Sequence, residues 1–220
     1  MRKKRYKYFR KIEHAMQFLD GNVYHQTLAY FRDFEDAEAE SVVGDQLEST
    51  RLYRPADGLR VNNLTEGISF DLQAGFESRV KAGEIYIFCC SSVLKDSLVK
   101  KFKAEACVEI QNPDIFIKRW KAALPHDAKH FNKKVDYYKP SRGPGNTWPQ
   151  PHLIATGKPE LYAYQKEYRF GFSITDALEF GQATQELVDR KGRPKPNPAE
   201  HHQWTLEQGS LRDICKLHRW

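Results

Sequence analysis

The clearest strand in the sequence is Glu84-Ile-Tyr-Ile-Phe-Cys-Cys-Ser-Ser92, which directly follows Gly83. Its apolar residues are nearly continuous rather than alternating, and this pattern is typical of a strand buried on both faces. We therefore expect it to lie at the centre of a sheet. Cys89 and Cys90 are then most simply buried strand residues.

Shorter patterned segments on both sides of this strand predict an α+β fold. Apolar residues recur at helical spacing from residue 12 to residue 19, and Asp20-Gly21 ends that helix. Asn112-Pro113 opens another helix that continues to about residue 123. Further strands are expected at residues 6–10, 22–28, 106–110, 134–138 and 161–173. The expected fold class is α+β, with mixed, mostly antiparallel sheets and a few helices.

The length of 220 residues fits a single domain, 1–220, with a core at about residues 6–175. Residues 176–220 are expected to form a basic loop and a hairpin that turns at Gln208-Gly209-Ser210. Residues 139–157 contain four prolines and three glycines, which predicts a long loop. Residues 33–46 are acidic and are expected to form a polar surface helix.

The charge is modestly basic, with 35 Lys plus Arg against 29 Asp plus Glu and a formal net charge of +6. Negative charge concentrates between Asp33 and Glu48. Positive charge clusters in residues 2–11 and 190–195 and at Lys95, Lys100, Lys101 and Lys103. This separation favours a basic face that meets a nucleic acid, because phosphate contacts supply much of nucleic-acid affinity. A solvated basic surface is the alternative.

The sequence also indicates a compartment. No apolar run approaches the roughly 20 residues of a membrane span, and the basic residues 1–10 are not followed by a signal-peptide core. The four cysteines include no C-x-x-C pair, so neither a disulfide framework nor a zinc site is indicated. We expect a cytoplasmic protein with no membrane partner and no metal site.

The segment richest in chemistry is Tyr162-Ala-Tyr-Gln-Lys-Glu-Tyr-Arg-Phe170. On an extended strand, Gln165 and Glu167 point to one face while Tyr164 and Tyr168 point to the other. A glutamate in this position can hold a ribose hydroxyl and stabilise a developing oxocarbenium ion, and the glutamine can orient an acceptor. A charged patch on an edge strand is the alternative interpretation.

Five segments together resemble a large bacterial family known as a domain of unknown function. They are Tyr6-Lys-Tyr-Phe-Arg10, Phe31-Arg-Asp-Phe-Glu35, Phe88-Cys-Cys-Ser-Ser92, Val135-Asp-Tyr137 and Lys158-Pro-Glu-Leu-Tyr-Ala-Tyr-Gln-Lys-Glu-Tyr-Arg169. The match spans residues 6–173 and is weaker in the middle, where Arg32 replaces the usual asparagine and no proline follows Asp33.

The order of these motifs also resembles the layout of ADP-ribosyltransferases, and this resemblance implies a split β core and NAD as a substrate. It assigns the catalytic role to Glu167 and the orientation of the acceptor to Gln165. Lys7 or Arg10 would bind the pyrophosphate or ribose, and Ser91 or Ser92 would brace the nicotinamide-ribose site. The aromatic wall for the nicotinamide would include Tyr8, Phe9, Tyr30 and Phe31.

The expected function is therefore NAD-dependent transfer of ADP-ribose to a macromolecule by a toxin or phage-defence effector. The basic patches favour nucleic acid, and RNA over DNA, as the acceptor. A toxin of this kind would also require an antitoxin or chaperone partner. Two alternatives remain, a non-catalytic nucleic-acid-binding module and a metal-dependent nuclease that uses Glu160, Lys166 and Glu167.

Overall fold

The computed structural model describes residues 3–34, 47–143, 145–189 and 201–220. Its strands are β1 (Arg5–Phe9), β2 (Asn22–Thr27), β3 (Thr50–Tyr53), β4 (Leu59–Asn63), β5 (Ile68–Leu72), β6 (Ala74–Arg79), β7 (Tyr86–Ser91), β8 (Ala106–Ile110), β9 (Lys129–Lys134), β10 (Asp136–Tyr138), β11 (Gly157–Pro159), β12 (Glu167–Ser173), β13 (Thr184–Asp189), β14 (Gln203–Glu207) and β15 (Cys215–Arg219). The α-helices are α1 (Ile12–Leu19), α2 (Leu28–Phe34), α3 (Asp96–Phe102), α4 (Pro113–Ala122) and α5 (Pro151–Ile154). Within the described ranges, no helix is long and apolar enough to cross a membrane.

Eight strands form the main sheet, and β7 lies at its centre. The order is β14-β2-β7-β1-β8-β15, with β12 pairing β7 and β9 pairing β12. The smaller sheets are β13-β6-β3, the β4-β5 pair and the parallel β10-β11 pair. The predicted α+β class with mostly antiparallel sheets is confirmed, and so is the central position of the strand that follows Gly83.

The main sheet forks beside β7. One edge of β7 pairs with β12 along its whole length, from Tyr86 to Ser91. The other edge is shared, because β2 pairs with it only at Tyr86 and Ile87, and β1 pairs with it only at Ser91. Both β1 and β2 run antiparallel to β7, and they diverge alongside residues 88–90. A gap therefore opens between two neighbouring strands in the middle of the sheet.

One face of the main sheet carries an aromatic core. Tyr168, Phe170 and Phe172 of β12 lie on this face, as the alternation of the sequence predicts, and they pack with Phe88 of β7. Helices α1 and α4 cover the face with Phe18, Phe116 and Trp120. Truncating a buried aromatic side chain of this kind costs about 3–5 kcal/mol. The aromatic core therefore holds the strands that border the fork.

Helix α1 links the two arms of the fork. It buries Ala15, Phe18 and Leu19 against the aromatic core and ends at Asp20. Gly21 then adopts a φ of +104°, and a Cβ at this position would lie 2.1 Å from the carbonyl oxygen of Gly209. The predicted helix end at Asp20-Gly21 is thus confirmed, and only glycine fits there.

Two predicted elements are wrong. Residues 160–165 form a 3-10 helix rather than the first half of a strand, and Lys166 adopts the left-handed region with φ 48° before β12 begins. The predicted hairpin at residues 208–210 does not form, since β14 pairs with β2 and β15 pairs with β8 at opposite ends of the sheet. Each of these strands forms backbone hydrogen bonds with a different edge of the sheet, and the local sequence does not specify which edge a strand will join.

Other predictions are refined by the structure. The strand expected at 134–138 divides into the end of β9 and β10, and the loop expected at 139–157 contains α5. Residues 35–46 of the expected acidic helix, and residues 190–200 within the basic loop expected after residue 176, lie outside the described residues.

A buried histidine joins the aromatic core to β2. The Nδ1–H of His25 donates to the carbonyl oxygen of Val23 at 2.9 Å, and Nε2 accepts from the indole N–H of Trp120 at 3.0 Å. Burial lowers the pKa of His25 to about 3, although its hydrogen bond to Val23 acts in the opposite direction. The imidazole is therefore neutral in the folded protein at neutral pH.

This neutral histidine predicts an acid-sensitive fold. The unfolded chain protonates His25 near pH 6.5, whereas the folded chain excludes the proton until about pH 3, so the free energy of unfolding falls as pH drops through this window. The limiting slope is about 1.4 kcal/mol per pH unit. In urea titrations, the free energy of unfolding of His25→Gln should lack this pH dependence. The difference in free energy of unfolding between wild type and His25→Gln should therefore become smaller as the pH falls. His14→Gln, at an exposed position of α1, is the control; a gap independent of pH would contradict the prediction.

Candidate functional site

The fork in the main sheet opens into a pocket with two connected lobes. The inner lobe, called the inner pocket, has a volume of about 200 Å³. The outer lobe, called the outer pocket, has a volume of about 640 Å³. The lobes share six lining residues, namely Lys7, Tyr8, Arg10, Phe31, Ile87 and Cys89. Strands β1 and β7 therefore form the boundary between the two lobes.

Most of the site residues predicted from the sequence converge on this pocket. The inner pocket is lined by Lys7, Tyr8, Arg10, Phe31, Ser91, Gln165 and Glu167. The outer pocket adds Phe9 and Tyr30. Ser92 lines neither lobe, and its backbone N–H donates to the carbonyl oxygen of Lys166 at 2.8 Å. The structure thus brings together segments that are far apart in sequence.

Glu167 is the first residue of β12 and is almost fully buried. Its Oε1 accepts a hydrogen bond from Nε of Arg169 at 2.7 Å, and its Oε2 lies 3.0 Å from Nζ of Lys158. Burial raises the pKa of the Glu167 carboxyl, but the Arg169 and Lys158 cations outweigh burial and hold the pKa well below its ordinary value. Glu167 is therefore an anion throughout the neutral range.

Arg169 lies fully buried two residues further along the same face of β12. Its two terminal nitrogens donate to both carboxylate oxygens of Glu48, with Nη2 at 2.8 Å from Oε2, and Nη1 also donates to the carbonyl oxygen of Ala155 at 2.6 Å. Burial lowers the pKa of Arg169, but Glu167 and Glu48 raise it well above its ordinary value. This bidentate geometry is the strong form of an arginine–carboxylate pair.

Lys158 connects Glu167 to Gln165. Its ammonium, on β11, lies 3.2 Å from Oε1 of Gln165 and 3.0 Å from Oε2 of Glu167, and it is also 3.7 Å from Glu48. The prediction that Gln165 and Glu167 lie on one face of a strand is wrong, because Gln165 belongs to a 3-10 helix and the strand begins at Glu167. The two side chains are linked instead through Lys158, which contacts both.

Hydroxyl groups hold this corner of the pocket in place. Ser91 donates its Oγ–H to the carbonyl oxygen of Gln165 at 2.8 Å, and the backbone N–H of Glu167 donates to the Tyr137 hydroxyl at 2.8 Å. Burial, with the nearby Glu167 charge, raises the pKa of Tyr137 to about 12. Ser91 and Tyr137 thus position the backbone on both sides of Lys166.

Cys89 lies on β7 opposite Arg169 and beside the Glu167 carboxylate. Burial raises the pKa of its thiol well above the ordinary value, and Glu167 adds to this effect. A thiol with a raised pKa is a poor nucleophile, because the thiolate is the reactive form. Cys89 therefore forms part of the pocket wall as a protonated thiol at neutral pH.

The outer pocket has a different electrostatic character. Lys7, Arg10 and Lys11 line it, and no carboxylate from the described part of the chain does so. Its aromatic lining includes Tyr30 and Phe31, whose rings meet edge to face with centroids 5.3 Å apart. A pocket with cations and aromatic surface suits a ligand that combines phosphate groups with flat rings.

The sequence interpretation missed the partners of Glu167. Arg169 carried a usable signal, because a charged residue inside a strand with apolar neighbours requires an opposite charge when buried. Lys158 and Glu48 carried no comparable signal, since lysine and glutamate are ordinarily exposed. The residues proposed for a nuclease do not converge: neither Glu160 nor Lys166 lines either lobe with Glu167, and Glu160 pairs with Lys139 at 3.4 Å.

Comparison with family models, curated proteins and solved structures yields no match to this chain. The chemistry of the site therefore follows from its own residues.

The buried charges predict strong coupling between Lys158 and Glu167. Lys158→Met and Glu167→Gln each leave an uncompensated buried charge, and each should lower the free energy of unfolding by about 3–5 kcal/mol. The double variant restores charge balance, so its loss should be smaller than the sum of the single losses by about 1–3 kcal/mol. Urea unfolding of the four proteins at pH 7 measures this coupling. Additive losses would show that the two groups do not interact.

Proposed function

We propose that this protein is an NAD-dependent ADP-ribosyltransferase and that NAD binds in the forked pocket. One observation carries the proposal: the ionised Glu167 lies on the wall of a pocket that opens between β1 and β2, and cations and aromatic rings line the same pocket. The divergence of these two strands also supports assigning an ADP-ribosyltransferase-like split core.

Glu167 has the properties that cleavage of the nicotinamide–ribose bond requires. As this bond breaks, positive charge develops on the ribose, and a fixed anion beside it lowers the barrier. Arg169 and Lys158 keep Glu167 ionised, and each carboxylate oxygen has a second lone pair that can accept a ribose hydroxyl. Arg169 is itself neutralised by Glu48, which limits its opposition to the developing charge.

The outer pocket has the properties that the rest of the dinucleotide requires. Its volume of about 640 Å³ lies within the range of about 300–1,000 Å³ found for small-molecule sites. Lys7 and Arg10 border both lobes, so they are placed to bind the pyrophosphate that joins the two nucleosides. Tyr8 and Phe31 supply ring faces at the same boundary. We further propose, on the family resemblance alone, a role as a toxin or phage-defence effector with an antitoxin or chaperone partner.

Release of nicotinamide from NAD, with RNA, DNA or a protein extract as acceptor, tests the proposal. Wild type should release nicotinamide and transfer label to one acceptor fraction. Arg10→Gln should lower kcat/KM about tenfold or more through KM, because a charged contact to phosphate is lost. Glu167→Gln should lower kcat by about 100-fold to 1,000-fold, because its contribution is made in the transition state.

Lys118→Gln is the matched control, since Lys118 is exposed on α4 and lines neither lobe. Thermal melting of each variant separates a catalytic loss from unfolding, because Glu167→Gln is expected to destabilise the fold. Absence of nicotinamide release by folded wild type with every acceptor fraction would overturn the proposal.

A further inference from the structure

Helix α3 presents a group of lysines beside the forked pocket. The helix buries Leu98, and Phe102 lines the inner pocket with its ring 5.4 Å from that of Tyr8. The lysines around this helix are exposed, namely Lys95, Lys100, Lys101, Lys103 and, on the neighbouring turn, Lys166. None of these five forms an ion pair with a carboxylate in the described part of the chain.

Both ends of α3 are attached to the rim of the pocket. At its start, the Tyr8 hydroxyl donates to the carbonyl oxygen of Val93 and accepts from the backbone N–H of Lys95, each at 3.0 Å. Beyond its end, the backbone N–H of Glu105 donates to the carbonyl oxygen of Phe9 at 3.0 Å, next to Arg10. Both ends of α3 therefore lie against β1, the strand whose residues Lys7 and Tyr8 line both lobes.

An aromatic ring accompanies these lysines. Nζ of Lys101 lies 4.4 Å from the ring centroid of Tyr164, which is half-buried in the 3-10 helix that ends at Gln165. The lysines and the Tyr164 ring therefore lie next to Gln165, which lines the inner pocket together with Glu167. Exposed acids on the same elements are Asp96 and Glu160, and Glu105 follows α3. Glu160 pairs with Lys139, and Glu105 accepts a hydrogen bond from the backbone N–H of Ile12.

We propose that α3 and Tyr164 form a binding surface for single-stranded nucleic acid, with RNA as the acceptor that it delivers to the pocket. Lysines without an ion pair among the described residues attract successive phosphates, and the accessible part of the half-buried Tyr164 ring stacks a base without sequence preference. The delivery role rests on the proposed function, whereas the binding role does not. A single strand suits this surface because its bases are free to stack and to enter a narrow pocket.

Binding of a fluorescein-labelled oligouridylate of about 16 nucleotides, measured by anisotropy without NAD, tests the surface. The variant Lys95→Gln/Lys100→Gln/Lys101→Gln should weaken binding about tenfold or more. It should also make the plot of log affinity against log salt concentration less steep by about 2, because each of the three lost phosphate contacts contributes about 0.7 to that slope. Tyr164→Leu should weaken binding about tenfold with little change in the salt slope, because it removes stacking and not charge.

The matched control is Lys118→Gln/Lys121→Gln/Lys216→Gln, which removes the same charge from exposed lysines on α4 and β15. Wild-type affinity in this control supports the surface, and equal losses in both triple variants overturn it. Binding of wild type to two other polyanions, namely polyglutamate and vesicles that contain phosphatidylserine, is measured in parallel. Equal wild-type binding to either would overturn the assignment to nucleic acid. If RNA binding depends on α3 while nicotinamide release fails, the surface stands and only the proposed enzymatic function is lost.

Discussion

The buried guanidinium of Arg169 is the interaction on which the rest of this structure depends. It contacts Glu167 on its own strand, Glu48 immediately before β3, and the carbonyl oxygen of Ala155 after α5. Three separate parts of the chain therefore meet at one side chain. A buried arginine is tolerated only when its donors are satisfied by opposite charge and carbonyl oxygens, so these segments must arrive together for the fold to form.

The fork in the main sheet places this charged cluster at a cavity instead of in a closed core. The two faces of β12 differ sharply: Tyr168, Phe170 and Phe172 enter the aromatic core, and Glu167 and Arg169 face the pocket. The alternation of a strand produces this division directly. Because β1 and β2 each pair with only one end of β7, the side chains of its middle residues border an open space between them.

The pocket combines two electrostatic environments over a short distance. In the buried cluster on the wall of the inner pocket, the carboxylates of Glu48 and Glu167 balance the cations of Lys158 and Arg169 in formal charge, and Glu167 remains ionised there. In the outer pocket and along α3, positive charge dominates among the described residues. A fixed anion in one lobe, with cations lining both lobes, is compatible with a ligand that carries phosphate groups and a sugar on which positive charge develops.

The sequence by itself determined the features that depend on neighbouring residues. The continuous apolar run identified β7 as central, and Asn112-Pro113 identified the start of α4. The alternation within β12 separates Tyr168 from Glu167, although only the structure shows that the aromatic face belongs to the core. The resemblance to ADP-ribosyltransferases grouped Glu167, Gln165, Lys7 and Arg10 in one site, and these four residues line the inner pocket. Periodicity and capping act over a few residues, so a sequence displays them directly.

Only the tertiary structure decided the pairings between distant segments. The Arg169–Glu48 ion pair joins residues 121 positions apart, and β14 and β15 reach opposite ends of one sheet although seven residues separate them. The end of the 3-10 helix before β12 is likewise tied to a distant strand, because the Ser91 hydroxyl and the Ser92 backbone N–H donate to the carbonyl oxygens of Gln165 and Lys166. Strand edges and buried charges select partners by geometry and complementarity across the whole fold, and no local pattern encodes that selection.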